Sequence, residues 1–520
     1  MNRDIVIHPI LLVIYVVLFL FAHNFGEFSF QEMWMPLFVC IGFTLGLWVI
    51  LRLILKSWQK SGIIVSLFLF LFFSYDHART YLEAKVTIGL MSLVWILSFV
   101  VGFYLTVKWK GFLRKGTQIL NVFSIVLVLF PLANIAYLSA EGCGASQQTA
   151  SGPANEIEVT GENKEYPDVY FIILDAYGRE DILRELYDYN NSYFIGYLRG
   201  KDFYVADQAT SNYCQTGLSI GSCFNMSYLD EWVKAVGINT SGGNAPLTGL
   251  IDQGHVIRYL KKRGYQIITF GPSRPEVRLP SADIHLQAGI SIAFLNALIN
   301  LTPLPDILWN RTEGGIFDMY REHLLYILDS LGEIYKLGDA PKFVVAHIES
   351  PHSPFVFGPN GEPIKLESRL NDQDGNWLIR PGRLTLEEYR SHYRDQIIFL
   401  NSKVKTMVDQ ILANSSRPPI ILILGDHGPR SGVIWDSVKK TDVRECMSIL
   451  SAYYLPGSGD EHLYSEISPV NIFRVILNHY FGQQYELLPD QCFFSTAGRL
   501  YQFHDVTDRV RGTKRFSGGI

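Results

Sequence analysis

Five apolar stretches crowd the first 140 residues, and a chain that opens this way needs a bilayer around those stretches to fold. A helix crosses the hydrocarbon core with about 20 mostly apolar residues. Ile5 to Ala22, Met33 to Leu55, Val86 to Trp109 and Ile119 to Leu138 reach that length. Ile63 to Tyr75 is shorter, and the surrounding charges decide whether it crosses. Arg52, Lys56 and Lys60 precede it, while Lys108, Lys110, Arg114 and Lys115 follow the next stretch. Basic loops stay on the cytoplasmic side, so both can lie inside only if the short stretch also spans. Five spans are therefore expected, with the N-terminus inside and everything after about residue 140 outside. A cleaved signal peptide has one short apolar core and does not account for five windows.

Three regions follow: a transmembrane domain over 1–140, a linker over 141–167 and an extracytoplasmic domain over 168–520. The linker contains SQQTASGPANEIEVTGENKEYP, which is poor in apolar residues. The formal charge of −5, with no basic stripe beyond the cytoplasmic loops, excludes a nucleic-acid partner. Cys143, Cys214, Cys223, Cys446 and Cys492 lie in the exported part, an odd number without a C-x-x-C spacing. Continuous apolar runs VYFIIL (169–174), YQIITF (265–270), KFVVAHI (342–348) and IILILGD (420–426) read as strands buried on both faces. Helical stretches separate them, and 393–412 places Ile397, Leu400, Val404 and Val408 on one face. The expected fold is an α/β domain with a mostly parallel central sheet covered by helices.

Ligands of such sheets collect beyond the carboxyl ends of the strands, which directs attention to four segments. LDAYGR brings Asp175 straight out of a buried strand, either as a metal ligand or as a turn-closing residue. LGDHGPRSG offers the Asp426 oxygen and the His427 nitrogen to a divalent ion, with glycines that let the backbone bend round it; the plainer reading is a glycine-rich turn. SNYCQTGLSIGSCFN supplies the hydroxyls of Thr216 and Ser219 where a loop turns into a helix. There a threonine is a nucleophile if a metal or base activates it, and a helix cap otherwise. HIESPHSPFVFGP holds His352 on a proline-stiffened loop, placed to protonate a leaving group or to serve the turn alone.

These four pieces, in this order, resemble the alkaline-phosphatase superfamily. Over residues 168 to 480 the chain is most similar to the membrane-anchored, sulfatase-like branch that includes lipoteichoic acid synthases and lipid A phosphoethanolamine transferases. The resemblance implies an N-terminal five-helix membrane domain and one divalent ion, Mn2+, Zn2+ or Mg2+, held by Asp175, Thr216, Asp426 and His427. It implies Thr216 rather than Ser219 as the nucleophile, with His352 and Arg430 at the substrate. Cysteines flank the threonine of the phosphoethanolamine transferases, so a Cys214 to Cys223 disulfide is a further expectation.

Departures narrow the reading. The C/S-x-P/A-x-R sequence that arylsulfatases convert to their nucleophile is absent, and Asp175 is followed by Ala176 instead of a second aspartate. The expected activity is transfer of a phospholipid head group, of phosphoglycerol or phosphoethanolamine type, through a phosphothreonine to a glycan or lipid acceptor. The alternatives are a sulfatase-like hydrolase of phosphate or sulfate esters, and a non-catalytic lipid-binding membrane protein. His347 and His352 are the nearby residues available to a second metal, which the resemblance does not require.

Overall fold

The computed structural model describes residues 5–24, 30–82, 88–108, 111, 113–148, 166–236, 245–271, 275–287, 293–304, 316–364, 374–381 and 383–512. They form two compact units: Met1–Ala145 with Ile290–Ile316, and Ser146–Gly289 with Phe317–Ile520.

The first unit contains α1 (His8–His23), α2 (Phe30–Leu55), α3 (Trp58–Leu82), α4 (Ile88–Lys108) and α5 (Leu113–Gln148). These helices are apolar all round instead of striped: Ile96 and Leu105 of α4, on opposite sides of the helix, are both exposed. Water would not tolerate that surface, whereas lipid would. Four are long and apolar enough to cross a membrane, over Glu32–Leu55, Trp58–Arg79, Gly89–Lys108 and Leu113–Tyr137. Two lengths differ from the sequence expectation. The stretch read as short lies inside the 22-residue candidate Trp58–Arg79, because flanking polar residues continue its helix. The first stretch yields only 16 helical residues, since Pro9 sets the helix start and Ile5 to Ile7 stay outside it.

A further difference concerns a segment that the first unit takes from the middle of the chain. Sequence reading assigns Ile290–Ile316 to the exported domain, yet its helix Ala293–Asn300 packs Phe294 and Leu298 among Val17, Phe21, Met33 and Leu37. The apolar face of this helix finds its core in α1 and α2. Helix α5 runs past the boundary drawn at 140, and linker residues 149–165 lie outside the described residues.

The second unit is built on seven strands: β1 (Val169–Leu174), β2 (Tyr204–Val205), β3 (Gln266–Gly271), β4 (Ile284–Gln287), β5 (Lys342–Ile348), β6 (Ile420–Leu424) and β7 (Ser451–Tyr454). Their order is β2-β7-β6-β1-β5-β3-β4. From β6 to β4 every pairing is parallel, and the two edge pairings, β6–β7 and β2–β7, are antiparallel. Alternate residues of β1 serve different cores. Ile172 and Leu174 face Leu400 and Val404 of the long helix Leu386–Asn414, and Phe171 and Ile173 face Phe224 and Phe473. Double-sided burial accounts for the unbroken apolar runs. The long helix starts earlier than its apolar spacing indicates because Thr385 and Glu388 form a capping box.

Register then positions the chemistry. Ile173 of β1 stands beside His347 of β5 and Leu424 of β6. Asp175, the 348–354 loop and Asp426 therefore leave three adjacent parallel strands at the same edge.

Candidate active site

Asp175 is fully buried where β1 ends, and backbone hydrogen bonds stitch that end to the neighbouring loop. Its N–H donates to Ile348 O at 2.9 Å, and its carbonyl accepts from the His352 N–H at 3.0 Å. Ala176 then turns the chain with a φ of 64°, a left-handed conformation uncommon for a residue bearing a Cβ. Its N–H donates to Asp426 Oδ1 at 3.1 Å, and its carbonyl accepts from Tyr393 Oη at 2.7 Å. The strained turn thus holds two carboxylates together at the strand ends.

Three histidines converge on this pair. His427 Nε2 lies 3.2 Å from Asp175 Oδ1 and 3.4 Å from Asp426 Oδ2, while His347 Nε2 lies 3.2 Å from Asp175 Oδ2. Ligand atoms of Asp175, His352 and His427 fall within 4.8 Å of one another, as do those of Asp175, His347 and Asp426. All five residues are buried. Burial would lower the His347 pKa, but Asp175 beside it outweighs burial and raises the imidazole above its ordinary value.

The donor set suits a divalent cation. His427 Nδ1 is 2.8 Å from the Gly428 carbonyl, so in the neutral ring that nitrogen carries the proton. The lone pair on Nε2 then faces carboxylate oxygens, an arrangement that repels unless a cation or a proton lies between. Burying ions without such compensation costs several kcal/mol for each.

His352 sits on the loop that follows β5, where the Ser350–Pro351 and Ser353–Pro354 bonds are cis. Gln396 of the long helix pins this loop by donating to the carbonyls of Pro351 and His352. His352 Nδ1 contacts Ser353 O at 2.5 Å, and its Nε2 lies 3.3 Å from Arg430 Nη1 and 3.4 Å from Asp374 Oδ2. Arg430 is buried against the Trp435 ring and donates from Nη2 to the Cys214 carbonyl at 2.7 Å. Through Arg430 the loop after β6 is tied to the segment that leads into Thr216.

Thr216 is the first residue of the helix Thr216–Asn225, and Gln215 is the cap. Capping is therefore not what its hydroxyl does. The side chain is buried, and Oγ1 has no hydrogen-bond partner among the described residues. Ser219 lies one turn further along, also buried, with its N–H bonded to Gln215 O.

Cys214 and Cys223 are both free, which corrects the expected disulfide. Cys214 packs with Val433, Cys446 and Cys492, whereas Cys223 faces the sheet core with Phe171 and Phe224. The two thiols point into different cores. Burial raises the pKa of both, so neither is poised as a nucleophile. Cys143 lies in a part of α5 whose side chains fall outside the described residues.

Three further residues belong to this neighbourhood. His347, which the sequence already offers as available to a second metal, is a polar side chain within an otherwise apolar buried strand. Asp374 lies in a loop rich in Asp and Asn, where nothing singles it out. Glu445 sits beneath the 428–432 loop and accepts from the Ser431 and Gly432 N–H groups, Ser431 Oγ and Tyr187 Oη. Burial pushes its carboxyl up to about 7, and the hydroxyl donors of Ser431 and Tyr187 oppose that rise.

No family model and no curated protein matches the sequence. Several solved structures are similar. One is the C-terminal periplasmic domain of EptC from Escherichia coli, at 12% identity and a TM-score of 0.41, covering 66% of this chain and 93% of that one. Another is the integral membrane lipooligosaccharide phosphoethanolamine transferase A from Neisseria meningitidis, at 12% identity and 0.40, covering 91% and 95%. A third comes from the glycosaminoglycan metabolism of Bacteroides thetaiotaomicron, at 14% identity and 0.39, covering 66% and 84%.

Proposed function

We propose that the chain is a metal-dependent phosphotransferase anchored in a membrane, with its α/β unit outside the cytoplasm. The observation that carries this reading is the buried group of Asp175, His347, His352, Asp426 and His427 at the carboxyl ends of β1, β5 and β6. Asp175, Thr216, Asp426 and His427 would hold the ion. When bound, it would lower the pKa of the threonine hydroxyl and offset charge on the phosphoryl oxygens.

Thr216 Oγ1 attacks the phosphorus of a phospholipid head group, forming an Oγ–P bond as the bond to the diacylglycerol oxygen breaks. His352 gives that oxygen its proton, and Arg430 keeps the imidazole facing the site. An acceptor hydroxyl on a glycan or lipid then passes its proton to His352 as its oxygen attacks the phosphothreonine, and the Oγ–P bond breaks to free Thr216. Thr216 is itself the first residue of its helix, and the N–H groups of that first turn favour negative charge on its oxygen. A donor that stays in the bilayer suits an anchored enzyme.

Intact-mass measurement tests the covalent step. Wild-type protein incubated with phosphatidylethanolamine or phosphatidylglycerol and Mn2+ or Zn2+ should gain the mass of one phosphoryl head group, and Thr216→Ala should gain none. Turnover by Thr216→Ala would rule the threonine out. Following a labelled head group with and without a glycan separates transfer from hydrolysis.

A further inference from the structure

We propose that residues 293–304 are a non-covalent anchor, holding the exported part of the chain to the helical unit independently of the linker. The anchor does not depend on the phosphotransferase reading and uses none of the residues that reading names.

The chain passes between its two units at three places: after Ala145, after Gly289 and after Ile316. The first falls in the expected linker. The other two bracket Ile290–Ile316, a segment that the helical unit takes from within the exported part. Its helix Ala293–Asn300 carries Phe294, Ala297, Leu298 and, just past its end, Leu301 at spacings of three and four, which form one apolar face. None of the four belongs to the two cores that flank the sheet. All four belong instead to one cluster with Val17 and Phe21 of α1, Met33 and Leu37 of α2, Phe73 of α3 and Ile135 of α5.

Coverage by protein distinguishes this contact from a helix resting on lipid. An interfacial helix turns its apolar face toward the acyl chains and leaves it uncovered by protein. Phe294 is 0% exposed and Leu298 3%, and the Phe294 ring centroid lies 6.4 Å from that of Phe21. Polar groups are met as well. The Asp76 N–H of α3 donates to Leu301 O at 3.3 Å and Thr302 Oγ1 donates to Ile299 O at 2.7 Å, so these carbonyls at the end of the helix have partners. With eight residues, about 12 Å, the helix is too short to cross.

Position agrees with the direction of approach. With the N-terminus inside, α1 ends and α2 begins at the outer surface, where α3 and α5 also end. The residues named lie in the second half of α1, the first half of α2 and the second halves of α3 and α5. A segment arriving from the exported side reaches those ends. Its alternative surroundings there are aqueous, so burying a phenylalanine and a leucine drives the contact, unlike the packing of helix on helix within lipid.

Cutting the linker tests the anchor. A protease site placed between residues 149 and 165 of the full chain, with an affinity tag before Ile5, divides it into a tagged helical fragment and a long fragment containing 290–316. After cleavage and capture in detergent, the wild-type long fragment should stay with the tagged one. In the double variant Phe294→Asp, Leu298→Asp it should be lost into the wash. Loss of the wild-type fragment overturns the anchor, and so does undiminished retention in the double variant, which would place the attachment elsewhere. If the double variant does not fold, a benzophenone-bearing phenylalanine in place of Phe294 still reads the contact. After irradiation and cleavage the two fragments should run as one band, and separate bands overturn the proposal.

Discussion

Glu445 shows how one buried side chain couples the candidate site to pH. Its folded pKa of about 7 stands above the ordinary 4.5, because burial disfavours the charged form. Between those values the folded chain binds the proton that the unfolded chain has released. The stability from this group is fully present below pH 4.5 and is lost as pH rises through about 7. The difference amounts to about 3 kcal/mol, from ~1.4 kcal/mol per unit. Glu445→Gln keeps the shape and removes the titration, so its stability relative to wild type should climb across this window. Denaturation midpoints measured over a pH series check it, and parallel curves for the two proteins would refute the assignment. Residues of this kind are the ones sequence reading misses. Asp175, Asp426 and His427 are legible because they end apolar runs. Glu445 and Asp374 matter through contacts with residues far away in the chain, and neither DVRECMSIL nor NDQDGNW records those contacts.

At the scale of elements, the loop after β6 owes its shape to how closely it runs beside another backbone. A Cβ on Gly428 would lie 2.1 Å from the Glu445 carbonyl and 2.6 Å from that of Ser448. Neither neighbour is a flexible side chain, so Gly428→Ala must displace the loop that begins at His427. The expected cost is about 1–3 kcal/mol of stability, together with roughly 10–100-fold in metal affinity or activity through the misplacement of His427, the proposed ligand. Gly249 is the internal contrast. It is exposed in the helix Ala245–Asp252 with nothing within 4 Å of its Cβ position, and Gly249→Ala should stabilise by roughly 0.5–1 kcal/mol. Paired unfolding and metal-titration curves test both, and equal behaviour of the two variants would contradict the steric account. The strands themselves were readable: β1 and β5 coincide with the runs VYFIIL and KFVVAHI, because burial on both faces keeps them apolar apart from Lys342 and His347. The edge strand β2 and its antiparallel neighbour β7 were not. β2 has two residues and β7 four, and pairing partners far off in sequence define them, not any periodicity of their own.

For the molecule as a whole, the open topological question is which side of the membrane carries the N-terminus. The sixteen residues of α1 extend only about 24 Å, against about 30 Å of hydrocarbon. If α1 did not cross, the other four spans could keep their directions and the N-terminus would lie outside. Hydrogen bonds within the helical unit argue otherwise. Asn121 Oδ1 accepts from the Ile7 and His8 N–H groups at 3.1 Å each, and His8 Nδ1 lies 2.6 Å from Ser66 Oγ. Asn121 and Ser66 are each eight residues into α5 and α3, about 12 Å from helix ends that the basic residues hold inside. The start of α1 is thus drawn into the layer from the inner side, with its free N–H groups satisfied by Asn121. The helix then runs alongside α2 and α3, where Val13 and Val17 are buried against protein, and mismatch with lipid costs only fractions of a kcal/mol per Å. An epitope placed before Ile5 should be reached by antibody only after the membrane is permeabilised, whereas one placed between residues 149 and 165 should be reached in intact cells. Labelling of the N-terminal epitope from outside would show that α1 does not cross and would reduce the spans to four.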